Sequence, residues 1–235
     1  MPTDMVPTKS QLNKAGKTLR KFMSDAGTVD LEEAYAAYEK LLAWRADHAA
    51  PLKKATMGLR SRVGTESCTI RVSQRLKRIP TILDKLRREP AMALSTMADI
   101  GGCRAVLDSI EEVRRIQARW ESSGRTLAVR DYILTPRDSG YRAVHVIVHY
   151  DDRQIEVQLR TRVMHEWAYT VETMTGRLGH NIKGGDGPSV VQDWFKAVSE
   201  AMALEESGST VDSALTARIA RLRVEALPIL KGGPH

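Results

Sequence analysis

Two carboxylates, Asp99 and Glu156, and the cations Arg75, Lys77, Lys85 and Arg104 are the residues whose types and spacing could do chemistry. Asp99 ends Thr96-Met97-Ala98 and precedes Ile100-Gly101-Gly102-Cys103-Arg104, at the entrance to a predicted strand. Glu156 sits in Gln154-Ile155-Glu156-Val157-Gln158-Leu159-Arg160, where polar and apolar residues alternate. Period-two alternation sends successive side chains to opposite faces, so Glu156 shares its face with Gln158 and Arg160. A carboxylate from each of two neighbouring strands is a common way to hold Mg²⁺, a hard cation that takes oxygen ligands. Taken singly, each acid has a plainer reading: a turn or cap for Asp99, a solvent-facing strand residue for Glu156. The cations sharpen the pair. Arg75 and Lys77 precede a predicted helix that carries Lys85, and Arg104 follows Asp99 closely. Transfer of a phosphoryl-type group needs cations to spread charge over the moving oxygens and a base for the attacking hydroxyl. A guanidinium can also stack flat on a purine. Tyr141 could stack a second base, at about 1–3 kcal/mol per base. Core packing after a glycine turn is the alternative for that ring.

The elements that must position these residues are legible as patterns. Arg137-Asp138-Ser139-Gly140 reads as a loop. After it, Tyr141, Ala143 and His145 share one strand face while Val144, Val146 and Val148 take the other. A tight turn at Asp151-Asp152 leads into the strand of Glu156. Further strands are expected over 69–74, 103–107 and 127–134, and helices over 10–24, 81–86 and 111–122. Asp30 is expected to cap a long helix with Leu31, Tyr35, Tyr38 and Leu42 on one face. Helices over 161–175, 189–206 and 211–226 follow, the second with Val191, Trp194, Phe195, Val198 and Met202 inward, and a flexible break at Gly184–Pro188. Helices, a β-rich centre, then helices argue an α+β fold with a mixed sheet of about five strands. The helices after Gly187 are read as ordinary packing in preference to a partner surface.

Composition bounds the partners. The chain has 235 residues and a formal net charge of +7. Residues 51–90 hold eleven Lys/Arg against three acids, a net +8, so the rest is close to neutral. A basic run is often only a solvated helix face. Beside a candidate site it favours a polyanion, nucleotide phosphates or RNA. No apolar run approaches a membrane span and no signal peptide is evident, so the cytosol is expected. Two cysteines support neither a disulfide framework nor a four-ligand zinc site. There is no Gly-x4-Gly-Lys-Ser/Thr and no kinase-type glycine loop. His145, His149, His165 and His180 lack metal-site spacing; His145 faces the site as a candidate phosphate ligand, and the others are read as structural.

From Cys68 to Met174 the chain resembles the synthetase domain of the RelA/SpoT family, ATP-dependent pyrophosphokinases that make alarmones. Four ordered segments carry the resemblance: Arg75-Leu76-Lys77 running through Thr81-Ile82 to Lys85; Asp99-Ile100-Gly101-Gly102-Cys103-Arg104; Arg137 to His145; and Glu156-Val157-Gln158-Leu159-Arg160-Thr161 with Trp167-Ala168. The resemblance implies a nucleotidyltransferase-like core over 67–176 between helical regions 1–66 and 177–235. It implies that Arg75 and Arg104 sandwich the adenine of ATP, that Lys77 and Lys85 hold its phosphates, and that Asp99 and Glu156 bind Mg²⁺. Glu156 would also activate the attacking 3′-hydroxyl. Tyr141 would stack on the acceptor base, with Arg137, His145, Gln158 and Arg160 lining the acceptor side. The β,γ-pyrophosphate would pass to a ribose 3′-OH, releasing AMP. Arg137 and Ser139 stand where the guanosine-type loop has Lys and Asn. That difference counts against a plain GDP/GTP acceptor. The wording of Arg75-Leu76-Lys77-Arg78 and of Asp99 to Arg104 leans toward the growth-inhibiting branch, and the basic segment toward the 3′-CCA end of tRNA as acceptor, ahead of GDP/GTP or adenosine nucleotides. A noncatalytic nucleotide- or RNA-binding module is the reading from another class. A neutralising antitoxin partner and self-association are further expectations. No His-Asp dipeptide is present, so alarmone hydrolysis is not expected.

Overall fold

Alternation divides the centre of the chain into one apolar and one polar sheet face. The computed structural model describes residues 6–68, 71–178, 182 and 185–232; the expectations for Thr69, His180 and Gly184 lie outside these. The strands are β1 (Arg71–Leu76), β2 (Gly101–Leu107), β3 (Thr126–Asp131), β4 (Val144–Tyr150) and β5 (Arg153–Thr161). They form one sheet in the order β1-β2-β5-β4-β3, with β2 parallel to β5 and the other pairs antiparallel. This is the expected α+β architecture with a five-stranded mixed sheet flanked by helices.

The apolar face carries Cys103, Ala105 and Leu107 of β2, the three valines of β4, and Ile155, Val157 and Leu159 of β5. Helix α3 (Ala49–Thr65) and, counting on past the N-terminal pair, α5 (Ile110–Glu121) cover it with Leu52, Leu59, Val113, Ile116 and Trp120. Helices α1 (Lys9–Ser24) and α2 (Leu31–Asp47) pack with α4 (Ile79–Arg88) around Leu12, Leu41, Trp44, Ile82 and Leu86. Arg20 fixes the end of α4 and the loop after it, donating from Nε to the Leu86 carbonyl at 2.8 Å, a group that a helix end leaves unsatisfied, and from Nη2 to the Met92 carbonyl at 2.8 Å. Asp30 caps α2 through the amides of Glu32 and Glu33, as expected. The face of α2 that turns inward is not the one bearing Leu31 and Tyr35. Ala34, Ala37, Leu41 and Trp44 are buried, whereas Leu31 and Tyr35 are 73% and 64% exposed. The small alanines let α1 pack closely, and that packing selects the face.

The polar face is covered in part by α6 (Arg162–Leu178), α7 (Ser189–Glu206) and α8 (Ser213–Lys231). Trp167, Val171, Val191, Phe195, Ala226 and Leu230 form a third core cluster there. Asp151 and Asp152 adopt φ of 48° and 58°, the pair of left-handed residues that a two-residue hairpin demands. Lys54 clamps Asp151 at 2.7 Å.

Candidate active site

Strand register builds the site in two rows. Residues opposite one another across the sheet share a face, so Arg75, Gly102 and Glu156 form one row across β1, β2 and β5. Ser73, Arg104, Gln158, His145 and Arg130 form the next row, across all five strands. Gly102 contributes no side chain, which leaves open floor between Arg75 and Glu156, two strands or about 10 Å apart. Arg104 stays near enough to Arg75 for that guanidinium to act on it.

Asp99 precedes β2 and points at two ammonium groups. Lys77 Nζ donates to its Oδ2 at 2.8 Å and Lys85 Nζ to its Oδ1 at 3.1 Å. Lys77 is firmly placed, because its N–H donates to the Ile100 carbonyl at 2.8 Å and its carbonyl accepts from Arg45 Nε at 2.7 Å. Burial alone would raise the Asp99 carboxyl, but the two lysines outweigh it and hold it below the usual carboxylate range. Glu156 acts on Asp99 with the opposite sign, pushing its proton affinity up, and Lys85 acts on Glu156. The acids that are far apart in sequence therefore share one electrostatic neighbourhood with both lysines.

Glu156 lies deeper. His145 Nδ1 sits 2.9 Å from its Oε1, and Gln158 Nε2 donates to its Oε2 at 2.6 Å. Burial would raise the carboxyl, yet His145 and Gln158 hold it well below the ordinary range. Burial also lowers the His145 imidazole against the pull of Glu156, so the pair is a carboxylate beside a neutral ring. Asp99 and Glu156 suit a divalent cation: both offer hard oxygens, both are ionised, and each charge opposes the other, a repulsion that a bound cation relieves.

Residues 74–175 match the family model described as "Region found in RelA / SpoT proteins". The centre of this chain is similar to that region. An uncharacterized protein of Mycobacterium tuberculosis is 32% identical over 155 residues, covering 65% of this chain and 55% of its own length. The chain thus spans about half the length of the mycobacterial relative. GTP pyrophosphokinase YjbM of Bacillus subtilis is 29% identical over 153 residues, covering 60% of this chain and 70% of that protein. Among solved structures, the small alarmone synthetase 1 from Bacillus subtilis superposes with a TM-score of 0.60 at 22% identity, covering 80% of this chain and 98% of that one. A GTP pyrophosphokinase family protein from Streptococcus pneumoniae gives 0.58 at 24%, covering 82% and 98%. These structures establish the fold.

The expected acceptor side of the site departs from expectation. Tyr141 is 1% exposed, packed against Trp167 with ring centroids 6.4 Å apart and against Tyr132 at 5.9 Å, so it offers no free face to a base. Arg160 and His145 are also buried, at 1% and 5%, and bind other side chains where an open lining was expected. The cause is α7. Ser199 Oγ donates to the Gly140 carbonyl at 2.6 Å, the Trp167 indole donates to the Phe195 carbonyl at 2.9 Å, and Arg142 pairs with Glu206. Gly140 has φ +87°, and a Cβ there would stand 3.0 Å from Lys196 Cα. Arg137 remains exposed, its guanidinium 4.4 Å from the Tyr132 ring centre and donating to the Tyr132 hydroxyl at 3.0 Å. Residues Ser199 and Glu206 gave no signal in the sequence. His165, read as structural, lies near Arg104 and Arg160 with Nδ1 buried and unpartnered.

Proposed function

We propose that the chain is an ATP-dependent pyrophosphokinase that transfers the β,γ-pyrophosphate of ATP to a ribose 3′-OH and releases AMP. One observation carries the reading: two ionised acids from separate segments meet beside Lys77 and Lys85, on the sheet face that bears Arg75 and Arg104. A noncatalytic module would have no use for two repelling carboxylates, one buried and one half-buried. In the proposed complex Arg75 and Arg104 hold the adenine, and the two lysines exchange Asp99 for phosphate oxygens. Asp99 and Glu156 hold Mg²⁺, which when bound neutralises charge on the phosphates. The acceptor 3′-oxygen bonds to the β-phosphorus, the bond from that phosphorus to the bridging oxygen of AMP breaks, and the hydroxyl proton leaves toward Glu156.

A purine nucleotide acceptor fits better than a tRNA end. Only part of the basic segment reaches the site: Arg75, Lys77 and Lys85 do, whereas Lys53, Lys54 and Arg60 belong to α3, which packs on the opposite sheet face. Arg87 and Arg88 are paired with Asp84. The related YjbM is named as a GTP pyrophosphokinase, which points the same way. Incubation with γ-labelled ATP and Mg²⁺ against GDP, GTP, ADP or deacylated tRNA tests this. Label in a 3′-pyrophosphorylated nucleotide with equimolar AMP is expected. Label in the RNA fraction would restore the tRNA acceptor and the growth-inhibiting role with its antitoxin. No transfer to any acceptor would end the pyrophosphokinase reading.

A further inference from the structure

Lys77 has to change partners with its side chain while its backbone stays still. Its Nζ sits on Asp99 at 2.8 Å, and in the proposed complex it turns to a phosphate oxygen. Only Lys77 and Arg78 join β1 to α4, so the joint has no structure of its own to hold it. β1 is an edge strand, paired on one side alone, and its Arg71, Ser73, Gln74 and Arg75 are exposed. The Lys77 backbone is instead held from outside, at both of its polar groups. Its N–H donates to the carbonyl of Ile100, the residue after Asp99, at 2.8 Å. Its carbonyl accepts from Arg45 Nε at 2.7 Å, 32 positions away in the chain. Arg45 belongs to the last turn of α2, and that turn is itself anchored. Asp47 pairs with Arg153 of β5, and His48, 1% exposed, packs where β2 begins, 3.6 Å from the place of a Cβ on Gly101. Among the described residues Arg45 pairs with no carboxylate, and it lies outside every segment that marks the site in the sequence.

We infer that Arg45 is a positioning residue for ATP: its Nε–H pins the main chain at Lys77, so that the lysine can pass from Asp99 to a phosphate without the β1–α4 joint following. The inference rests on the pyrophosphokinase reading for its ligand. Two substitutions separate the hydrogen bond from the charge. Glutamine places an N–H donor as many bonds from Cα as Arg Nε and carries no charge, whereas methionine has similar length and no donor. Calorimetric titration with a non-hydrolysable ATP analogue and Mg²⁺ reads the effect with no acceptor present. Arg45→Met is expected to weaken binding about tenfold, the loss of one charge-assisted hydrogen bond, and Arg45→Gln to stay within about threefold of the wild type. In a Lys77→Met background Arg45→Met should cost nothing further, because the group it places is gone. Equal losses in Arg45→Met and Arg45→Gln would show the charge acting on the phosphates directly and would overturn the positioning role. Multiplicative losses in the double variant, or an unchanged affinity in Arg45→Met, would do the same. Loss of the fold in Arg45→Met, read by urea unfolding, would make the bond a matter of stability and also overturn it. A wild-type protein that binds no ATP analogue would end the pyrophosphokinase reading itself, whereas failure among the variants alone leaves that reading standing.

Discussion

The ion pair between Arg142 and Glu206 is the joint on which the acceptor loop and α7 depend, and it yields a measurable magnitude. Arg142 Nη1 donates to Glu206 Oε2 at 2.6 Å, with side chains 7% and 10% exposed, and Thr161 Oγ1 donates to the other oxygen. Glu206→Ala leaves a buried guanidinium facing no anion. Removing one partner of a buried pair costs about 3–5 kcal/mol, far above the ~0–1 kcal/mol of an exposed bridge. At this chain length each kcal/mol lowers Tm by roughly 2–4 °C, so a drop of about 6–20 °C is expected. Urea unfolding followed by circular dichroism measures the loss directly. Pairing Arg142→Met with Glu206→Leu should recover most of it, because an apolar pair of similar volume carries no desolvation cost. A loss under about 1 kcal/mol for Glu206→Ala would refute the reasoning, since water would then be reaching the guanidinium. So would failure of the double variant to recover, which would place the cost in lost packing of α7 and not in stranded charge.

Other substitutions test the site itself. Glu156→Gln should lower kcat by about a hundred- to ten-thousand-fold while ATP affinity, read by calorimetric titration, stays nearly unchanged. Lys77→Met and Lys85→Met should each raise the KM for ATP about tenfold or more, the loss of one charge-assisted hydrogen bond. Gly140→Ala should cost about 1–2 kcal/mol for a left-handed backbone alone, plus displacement of α7, where its Cβ would meet Lys196 and Ser199; urea unfolding reads the sum. The pH dependence has a definite sign. Asp99 and Glu156 have folded-state values below their ordinary ones, so their contribution is present above the carboxylate range and lost as pH falls through the folded values. His145 is buried neutral below its ordinary 6.5, so the unfolded chain gains protons first on acidification. The urea midpoint should therefore fall from pH 7 as the unfolded histidine gains its proton, and fall further below about pH 5 as the carboxylates do; a flat upper limb would contradict the His145 assignment and a flat lower limb those of Asp99 and Glu156.

How much was readable in advance follows from how local each signal is. The strand faces, the Asp30 cap, the Asp151-Asp152 turn and the limits of α7 are set by neighbours in sequence, and they agree with the structure. That Arg75, Arg104 and Glu156 share a face follows from the register between strands, and Arg75 lies beyond the strand expected over 69–74. What could not be read were contacts between distant segments. Tyr141 was a stacking candidate because a ring after a glycine turn can point either way, and only α7, some fifty residues later, closes over it. Leu31 and Tyr35 of α2 make an apolar stripe of helical period, but Ala34 and Ala37 allow closer packing on α1. Hydrophobic period locates a helix; complementary shape chooses which face goes in.

The same alternation that makes the core makes the site, and this sets a requirement on register. Val157 and Leu159 lie in the apolar core while Glu156, Gln158 and Arg160 are linked to one another on the polar face, so a one-residue slip of β5 would drive three polar groups into the valines of β4. Register must be pinned at the end of the hairpin where the two strands begin to pair. The two left-handed aspartates admit one loop length, Lys54 holds the first of them, and Arg153 pairs with Asp47 at the start of β5. These residues lie at the opposite end of the strands from Gln158 and Arg160 and touch none of the three polar groups, yet they decide which side chains reach the polar face. Lys54 and Asp151 are both about half exposed, so their bridge contributes little energy in the folded state. Its significance is geometric: it ties the hairpin tip to α3, the helix that packs on the apolar face, so that closing the core and aligning the two carboxylates become one event.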